Sequence, residues 1–217
     1  MILAAGRGER MRPLTDNCPK PLLELQGKPL IQWHVERLHA AGVRDLVINT
    51  AWLGQQVRDY LGDGSRFDVT IAFSDEGDRA LETGGGINKA LPLLGTEPFW
   101  LVNGDVYCDF DFAPLSLADD QLAHLLLVPN PEHNPDGDFP FAAGRVLPDD
   151  SDAARYTFAG ISLLRPELIA GDDVFPLAPL LRSAAAAGKV SAQLHDGLWV
   201  DIGTPERLKQ AATLIAN

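Results

Sequence analysis

The chain opens with MILAAGRGERMRPLT, residues 1–15, a short apolar run followed by a turn rich in glycine and arginine. Residues 2–5 are typical of a buried parallel β-strand that ends where the glycines begin. Glycines after a strand let a ligand approach the backbone closely and present N–H groups to anionic oxygens. Arg7, Arg10 and Arg12 lie in the same turn. The pattern therefore predicts a phosphate-binding loop, with a solvated basic turn as the alternative.

Two common nucleotide-binding loops are disfavoured by the residues of this stretch. The dinucleotide fingerprint needs a third glycine where Met11 stands and a helix directly after it. Pro13, Pro19 and Pro21 are expected to keep the chain extended instead. A Walker A loop needs Gly-Lys-Ser/Thr, which does not follow here. Lys20 stands between two prolines that restrict the backbone, which favours a positioned cation over a mobile surface charge.

Strands and helices alternate in the pattern of the first half of the chain. Apolar runs predict strands at residues 45–50, 69–73 and 99–103. Helical patterns are found at residues 29–42, at 53–61 and from a glycine-rich turn at 84–86 to residue 94. This alternation predicts an α/β fold with a doubly wound, mostly parallel sheet.

The pattern changes after residue 123, where turns rich in proline, asparagine and aspartate separate the strands. The predicted strands are residues 124–128, 139–146 and 156–164. Helices are expected again at residues 177–187 and 205–216, beside strands at 190–195 and 198–200. We therefore expect one α/β domain, residues 1–217, whose second half adds a smaller antiparallel lobe.

Two aspartates each end an apolar strand: Asp105 in VNGDV and Asp201 in WVDIGT. In open α/β sheets, ligands bind beyond the carboxyl ends of the strands. Two carboxylates that converge there can hold Mg²⁺, which prefers one or two carboxylates together with phosphate oxygens. We therefore predict that both aspartates bind Mg²⁺, although each taken alone is equally typical of a turn or a helix cap.

Three consecutive glycines occur in LETGGG, residues 81–86, and are expected to precede a helix. Such a turn lets a planar base lie against the backbone, with the edge of the base read by main-chain groups or by Glu82. An ordinary helix start after a permissive loop is the alternative.

Composition limits the class of the protein and its partners. The 217 residues are 46% hydrophobic, enough for a core, and no apolar run approaches the ~20 residues of a membrane span. Lys and Arg number 18 against 30 Asp and Glu, so neither nucleic acid nor a membrane is an expected partner. Cys18 and Cys108 predict two reduced thiols. The N-terminus is unlike a signal peptide, and a cytoplasmic location is expected.

Taken together, the motifs resemble those of the sugar-1-phosphate nucleotidyltransferase family. Its five signature segments are present in order: LAAGRGERMRPLT at 3–15, PKP at 19–21, LETG at 81–84, GD at 104–105 and WVDIGTP at 199–205. The resemblance implies a Rossmann-like nucleotidyltransferase fold. It also implies an enzyme that joins a nucleoside triphosphate to a sugar 1-phosphate and releases pyrophosphate. Residues 1–122 would mainly bind the nucleotide and residues 123–217 mainly the sugar, the latter also returning the second metal aspartate.

The resemblance also implies roles for individual residues. Arg10 and Lys20 are the expected catalytic residues, the first holding the β- and γ-phosphates and the second neutralising the α-phosphate and the sugar phosphate. Asp105 and Asp201 are the expected Mg²⁺ ligands. The expected nucleotide contacts are Leu3, Ala4, Ala5, Gly6, Gly8, Glu82, Gly84 and Gly104. The expected sugar contacts are Asn103, Gly137, Asp138 and Gly160.

The subtype rests on fewer residues. LETGGG and the GDF segment at 137–139 are most similar to the uridylyltransferases that act on N-acetylmuramate 1-phosphate in peptidoglycan recycling, with UTP as the nucleotide. Glucose-1-phosphate thymidylyl- or uridylyltransferases and mannose-1-phosphate guanylyltransferases share the core motifs and are the alternatives. The acidic sugar contact usual in the family is absent, because ARYT precedes FAGI at residues 154–161. Arg145 or Arg155 is a candidate partner for the lactyl carboxylate, with a solvated surface charge as the other interpretation.

Two other classes of protein are disfavoured. A catalytically silent nucleotide-sugar sensor on the same fold should lack the PKP lysine or one metal aspartate, and this sequence has both. A redox Rossmann protein should carry an acidic ribose ligand after its second strand, where Asn49 and Thr50 stand instead. A monomer is expected, because no dedicated assembly domain is visible.

Overall fold

The computed structural model describes residues 1–77, 81–112, 116–171 and 173–215. Internal contacts divide the chain into two compact units. The first consists of Met1–Ala80, Val102–Pro114 and Leu198–Asn217, and the second of Leu81–Leu101 and Leu115–Gly197. That residues 1–122 bind the nucleotide and residues 123–217 the sugar stays a prediction.

Strands and helices alternate along the described chain. The strands are β1 (Ile2–Leu3), β2 (Glu24–Leu25), β3 (Lys28–Pro29), β4 (Asp45–Thr50), β5 (Thr70–Asp75), β6 (Phe99–Asn103), β7 (Val106–Cys108), β8 (Ala123–Val128), β9 (Phe139–Ala142), β10 (Arg145–Val146), β11 (Arg155–Leu164), β12 (Val190–Leu194) and β13 (Trp199–Asp201). The α-helices are α1 (Leu30–Ala40), α2 (Gly54–Leu61), α3 (Glu82–Leu94), α4 (Ala178–Ala186) and α5 (Pro205–Ile215). No helix in these ranges has the length and apolar character needed to cross a membrane.

Parallel strands form the centre of the first unit. β1 pairs with β4, where Leu3 lies beside Asn49, and with the end of β6, where Leu3 lies beside Asn103. β4 pairs in parallel with β5 along its whole length. The apolar run of β4 is buried, which explains why this strand could be read from hydrophobicity alone. Two further pairings, β2 with β3 and β7 with β13, are antiparallel.

The second unit contains a mixed set of strand pairings. β8 pairs antiparallel with β11 and parallel with β12. β10 pairs antiparallel with β12 and with β9, and β9 also pairs antiparallel with β11. The expected α/β class with a mixed sheet is therefore confirmed.

One apolar cluster in the first unit anchors three segments that carry predicted site residues. Met11 of the N-terminal loop, Tyr107 after Asp105, and Ile202 after Asp201 are all buried in it. Because burying a large apolar side chain stabilises by about 2 kcal/mol, each segment has its own anchor in the core. The positions of the loop and both aspartates are thus determined by shared packing.

Three local predictions are wrong. The residues predicted as one strand at 139–146 form a hairpin, with positive φ at Ala143 (51°) and Gly144 (78°) in a two-residue turn. The glycines at 84–86 lie inside α3 instead of before it. Residues 20–22 form a 3₁₀ turn, since a proline in the first turn of a helix loses no internal hydrogen bond, so the chain is not extended there.

Candidate functional site

The predicted nucleotide-binding segment, residues 3–6, leaves the sheet where β1 ends. The backbone N–H of Gly104 donates to the carbonyl of Leu3 at 2.8 Å, and the N–H of Ala4 donates to Asn49 Oδ1 at 2.7 Å. A Cβ on Gly104 would lie 2.5 Å from the Leu3 carbonyl oxygen, so only glycine allows this approach. The start of the segment is therefore held by both neighbouring strands.

The loop then closes around Gly8. Ala5 is partly accessible and Gly6 is exposed, with open space where a Cβ would stand. Gly8 has a left-handed φ of 68°, and its carbonyl accepts from the Met11 N–H at 2.9 Å and from Thr15 Oγ1 at 2.8 Å. A Cβ on Gly8 would lie 3.0 Å from Thr15 Cγ2. Both the backbone angle and the space therefore require glycine at this position.

The three arginines of the loop have different surroundings. The Arg7 guanidinium lies 3.7 Å from the ring centroid of Trp52 and donates to the carbonyl of Thr15 at 2.9 Å. Arg12 forms a 2.7 Å ion pair with the aspartate four residues later. Arg10 is exposed, and its guanidinium has no hydrogen bond or ion pair within the described residues. Of these three cations, Arg10 is the one whose guanidinium is not already paired within the described residues, and its phosphate contact stays a prediction.

Lys20 and Asp105 form a short ion pair although 85 residues separate them. Lys20 Nζ lies 2.6 Å from Asp105 Oδ2. Lys20 is buried, with 8% of its surface exposed, whereas the Asp105 side chain is 37% exposed. A buried cation needs a partner, and Asp105 supplies it from the accessible side. The lysine is therefore a positioned cation, as its neighbouring prolines indicate.

The two predicted metal aspartates lie one residue out of register where β7 and β13 pair. The N–H of Ile202 donates to the backbone carbonyl of Asp105 at 2.8 Å, and Asp201 pairs with Val106 between β13 and β7. Asp201 Oδ2 lies 2.5 Å from Arg207 Nη1 on α5. The structure thus brings the backbones of two aspartates, separated in the chain by almost a hundred residues, to the same end of this strand pair.

The donor set of these aspartates fits a hard divalent cation. Carboxylate oxygens are the ligands that Mg²⁺ prefers in proteins. Each carboxylate pairs with a cationic side chain, Asp105 with Lys20 and Asp201 with Arg207, and both side chains stay partly accessible at 37% and 23% exposure. Both acidic groups can therefore be reached from solvent.

His34 of α1 packs against the turn that carries Asp105. Burial lowers the pKa of His34 to about 4, and the nearby charge of Asp105 opposes that shift. The backbone at Gly104 and Val106 lies beside the ring and favours its protonated form, and Nε2 has no hydrogen-bond partner among the described residues. A neutral imidazole therefore supports this turn at neutral pH.

In the second unit, the glycines of α3 lie against the protein's own chain. A Cβ on Gly84 would lie 2.4 Å from the ring of Phe175, and the Gly85 N–H donates to the Phe175 carbonyl at 3.1 Å. The expectation of an open glycine turn before the helix is wrong, because these glycines lie inside α3 and pack closely against this segment. Glu82 begins α3 with a φ of 59° and is exposed. The assignment of Glu82 and Gly84 to nucleotide binding stays a prediction.

Gly137 and Asp138 form a tight turn against β11. A Cβ on Gly137 would lie 2.8 Å from Asn130 Oδ1, and φ at this glycine is 66°. Asp138 Oδ2 accepts from the Phe158 N–H at 2.8 Å, and Asp138 Oδ1 accepts from Asn134 Nδ2 at 3.1 Å. Both carboxylate oxygens therefore hold the turn, and a sugar contact of Asp138 stays a prediction.

Three further residues of the expected sugar side lie in the second unit. Gly160, with a φ of 74°, lies where the register of β11 with β8 shifts. Arg145 donates to the Gly188 carbonyl at 2.9 Å, and Arg155 donates to the Asp138 carbonyl at 2.7 Å. Of the two candidate arginines, Arg155 is therefore the one next to a predicted sugar contact.

Comparison with known proteins agrees with this arrangement. The family model for nucleotidyl transferases matches residues 1–137. The chain belongs to this family. An N-acetylmuramate alpha-1-phosphate uridylyltransferase of Neisseria meningitidis is 53% identical over 99% of this chain and 96% of its own length. A protein of the same name from Caulobacter vibrioides is 34% identical over 100% of this chain and 96% of its own length.

Solved structures show the same fold at low sequence identity. A putative glucose-1-phosphate thymidylyltransferase from Bacillus anthracis superposes with a TM-score of 0.87 at 21% identity, covering 98% of this chain and 93% of that one. A UDP-glucose pyrophosphorylase complexed with UDP-glucose gives a TM-score of 0.78 at 18% identity, covering 99% and 97%. This nucleotidyl transferase therefore has the fold that its sequence motifs imply.

Several residues of the site were not singled out from the sequence. Asn49 contacts the predicted nucleotide-binding segment at Ala4 and is itself hydrogen-bonded to Glu76, and Arg207 pairs with Asp201. Asn49 carried a signal, because a polar residue near the end of a buried apolar strand needs a partner. No pattern in the sequence pointed to Arg207 or His34, because only the folded chain shows which side chains their helices bring close to the aspartates.

Proposed function

We propose that this nucleotidyl transferase transfers the uridylyl group of UTP to N-acetyl-α-muramate 1-phosphate, giving a UDP-sugar and pyrophosphate. The observation that carries the proposal is the 53% identity, over nearly the whole of both chains, to the uridylyltransferase from Neisseria meningitidis. A mannose-1-phosphate guanyltransferase from Hypocrea jecorina is 29% identical, and the match covers only 61% of it. The muramate substrate is therefore favoured over mannose 1-phosphate.

The reaction needs alignment and charge neutralisation instead of a side-chain nucleophile. A phosphate oxygen of the sugar phosphate attacks the α-phosphorus of UTP in line. The new phosphorus–oxygen bond forms as the bond between the α-phosphorus and the β-phosphate oxygen breaks, and pyrophosphate leaves with that oxygen. Negative charge collects around the α-phosphorus and on the leaving group, so the chain must supply positive charge at both places.

Arg10 supplies positive charge at the leaving group, and Lys20 supplies it at the α-phosphorus. Arg10 is exposed and unpaired within the described residues, so its guanidinium can hold the β- and γ-phosphates. Lys20 lies buried beside Asp105, and its ammonium neutralises the α-phosphate and the incoming sugar phosphate. Asp105 and Asp201 would hold Mg²⁺, which adds positive charge against the triphosphate when bound.

The remaining predicted contacts position the substrates. Residues 3–6 and Gly8 offer backbone groups to the base, ribose and phosphates, with Glu82, Gly84 and Gly104 completing the nucleotide contacts. Asn103, Gly137, Asp138 and Gly160 are assigned to the sugar. In this proposal the first unit provides a doubly wound nucleotide-binding sheet, and the antiparallel strands of the second unit form the sugar-binding lobe.

The biological setting follows from the proposed substrate. A UDP-sugar made from a muramate phosphate belongs to peptidoglycan recycling, and we expect a monomeric enzyme that works in the cytoplasm. Cell fractionation and sedimentation of the purified protein would test these two expectations.

The proposed reaction is tested by pyrophosphate release with N-acetyl-α-muramate 1-phosphate, Mg²⁺ and each of UTP, dTTP, GTP, CTP and ATP in turn. We expect release with UTP to exceed release with any other nucleotide by at least ~10-fold, since base discrimination by a few hydrogen bonds is of that order. Equal rates with GTP would contradict the uridylyl assignment. Silence with all five, from protein shown to be folded, would favour a nucleotide-sugar sensor.

A further inference from the structure

A buried polar chain of hydrogen bonds connects β5, β4 and the first loop of the protein. The N–H of Ala4 donates to Asn49 Oδ1 at 2.7 Å, and Asn49 Nδ2 donates to Glu76 Oε1 at 2.6 Å. Asn49 is 3% exposed and Glu76 is 7% exposed. The Glu76 N–H donates in turn to the carbonyl of Thr50 at 2.8 Å, which attaches Glu76 to the end of β4.

The side chain of Asn49 acts where the backbone ladder stops. β1 pairs with β4 only as far as Leu3, which lies beside Asn49. Ala4 is 6% exposed, so its N–H is shielded from water and needs a partner inside the protein. The Asn49 oxygen supplies that partner while the chain turns away from the sheet. This hydrogen bond fixes the peptide between Leu3 and Ala4. The accessible residues Ala5 and Gly6 follow directly after it.

Glu76 determines which way round the Asn49 amide is held. An ionised carboxylate accepts hydrogen bonds and cannot donate them, so it selects the amino group of the asparagine. The amide oxygen is then directed to the Ala4 N–H. With the amide reversed, its oxygen would face the carboxylate and its amino group would face another N–H, so both bonds would be lost.

We propose that Asn49 and Glu76 are positioning residues for the nucleotide-binding segment: together they orient the backbone at Ala4 so that Ala5 and Gly6 meet the nucleotide in a preset geometry. Neither residue acts on the reacting atoms. The inference rests on the proposed function, because it takes residues 3–6 as the surface that binds UTP.

The pair can be tested by exchanging its two functional groups. Asn49→Asp keeps an oxygen for Ala4 but sets two carboxylates against each other, whereas Glu76→Gln keeps an acceptor for Asn49. The double variant Asn49→Asp/Glu76→Gln restores the pair in reverse, because the new amide donates to the new carboxylate. Asn49→Ala removes both bonds. Val47→Ala is the matched control, since it truncates a buried apolar residue of the same strand, two positions away, and removes no side-chain hydrogen bond.

Two measurements separate positioning from general stability. We expect Asn49→Ala and Asn49→Asp to raise the KM for UTP about tenfold, the effect of one hydrogen bond, and to leave the KM for the sugar phosphate within about twofold. The double variant should recover to within about threefold of wild type. In the ligand-free protein, amide hydrogen exchange over residues 3–8 should accelerate in Asn49→Ala but not in Val47→Ala.

Failure of the inference and failure of the proposed function give different results. If the double variant is no better than Asn49→Asp, or if exchange over residues 3–8 is the same in Asn49→Ala and Val47→Ala, the positioning role is wrong. If wild-type protein neither binds nor uses UTP, the proposed function is wrong. The exchange measurement still decides the positioning role in that case, because it needs no nucleotide.

Discussion

The ion pair between Lys20 and Asp105 gives the sharpest prediction for catalysis. Lys20→Ala removes a buried cation that the proposed mechanism places beside the α-phosphate. We expect turnover to fall at least ~100-fold, a loss of about 3 kcal/mol of transition-state stabilisation. Lys20→Arg keeps the charge but not the compact ammonium, because a guanidinium is broader and planar, and we expect it to recover only part of the rate.

The effect on stability should be smaller than the effect on turnover. The partner carboxylate of Asp105 is 37% exposed, so water can hydrate it once the lysine is gone. Because Lys20 itself is buried, the loss should lie between the ~1 kcal/mol or less of an exposed pair and the larger cost of breaking a fully buried one. Urea unfolding of Lys20→Ala should therefore show a moderate loss of stability, about 1–2 kcal/mol, while the steady-state rate of pyrophosphate release falls.

Lys28→Ala is the matched control for this experiment. Lys28 also pairs with a carboxylate, with its Nζ 2.5 Å from Glu36 Oε2, but it lies outside the predicted site. We expect Lys28→Ala to keep turnover within about twofold of wild type. Lys28 has no proposed role in the reaction, and a partly exposed ion pair contributes little to stability. Lys20→Ala protein that is folded and turns over at a near-normal rate would refute the reasoning.

Three further predictions concern Asp201, the close approach of Gly104 to the Leu3 carbonyl, and the buried His34. Asp201→Asn should raise the Mg²⁺ concentration for half-maximal activity about tenfold or more, since one anionic ligand becomes neutral; an unchanged Mg²⁺ titration would contradict its role. Gly104→Ala should destabilise the fold by about 2 kcal/mol, because its Cβ would lie 2.5 Å from the Leu3 carbonyl oxygen; urea unfolding checks this. Burial lowers the pKa of His34 from 6.5 to about 4, so its unfolded form binds more protons and stability is lost as pH falls from about 6.5 towards 4. His34→Gln should lose less stability than wild type between pH 7 and pH 5, and equal slopes of unfolding free energy against pH would refute this.

The sequence was informative about the fold where apolar runs were long and buried. β4 and β6 have the boundaries that were predicted, because every residue of a buried strand adds to the hydrophobic signal. The strands β2, β3 and β7, of two or three residues each, give too little pattern to be recognised. The hairpin at β9 and β10 was missed because its turn residues, Ala143 and Gly144, lack the Asn-Gly or Asp-Gly pair by which such turns are usually recognised in a sequence.

For the candidate site, the motifs predicted which residues belong to it but not which of their side chains contact one another. The PKP lysine, Asp105 and Asp201 could be selected because each follows or precedes a recognisable strand or proline pair. That Lys20 meets Asp105 depends on a contact between residues 85 apart in the chain. Arg207 meets Asp201 only six residues away, but through the turn that joins β13 to α5. The three glycines at 84–86 predicted an open turn because the sequence alone does not distinguish a glycine that makes room for a ligand from one that makes room for Phe175.

The proposed sugar substrate is tested most directly by competition in a single reaction. UTP and Mg²⁺ are supplied with equal concentrations of N-acetyl-α-muramate 1-phosphate, N-acetylglucosamine 1-phosphate, glucose 1-phosphate and mannose 1-phosphate, and the nucleotide sugars formed are separated and identified by mass. We predict that the UDP-sugar carrying the lactyl group dominates the products. Dominance of any other UDP-sugar would contradict the muramate assignment and move the specificity to that sugar.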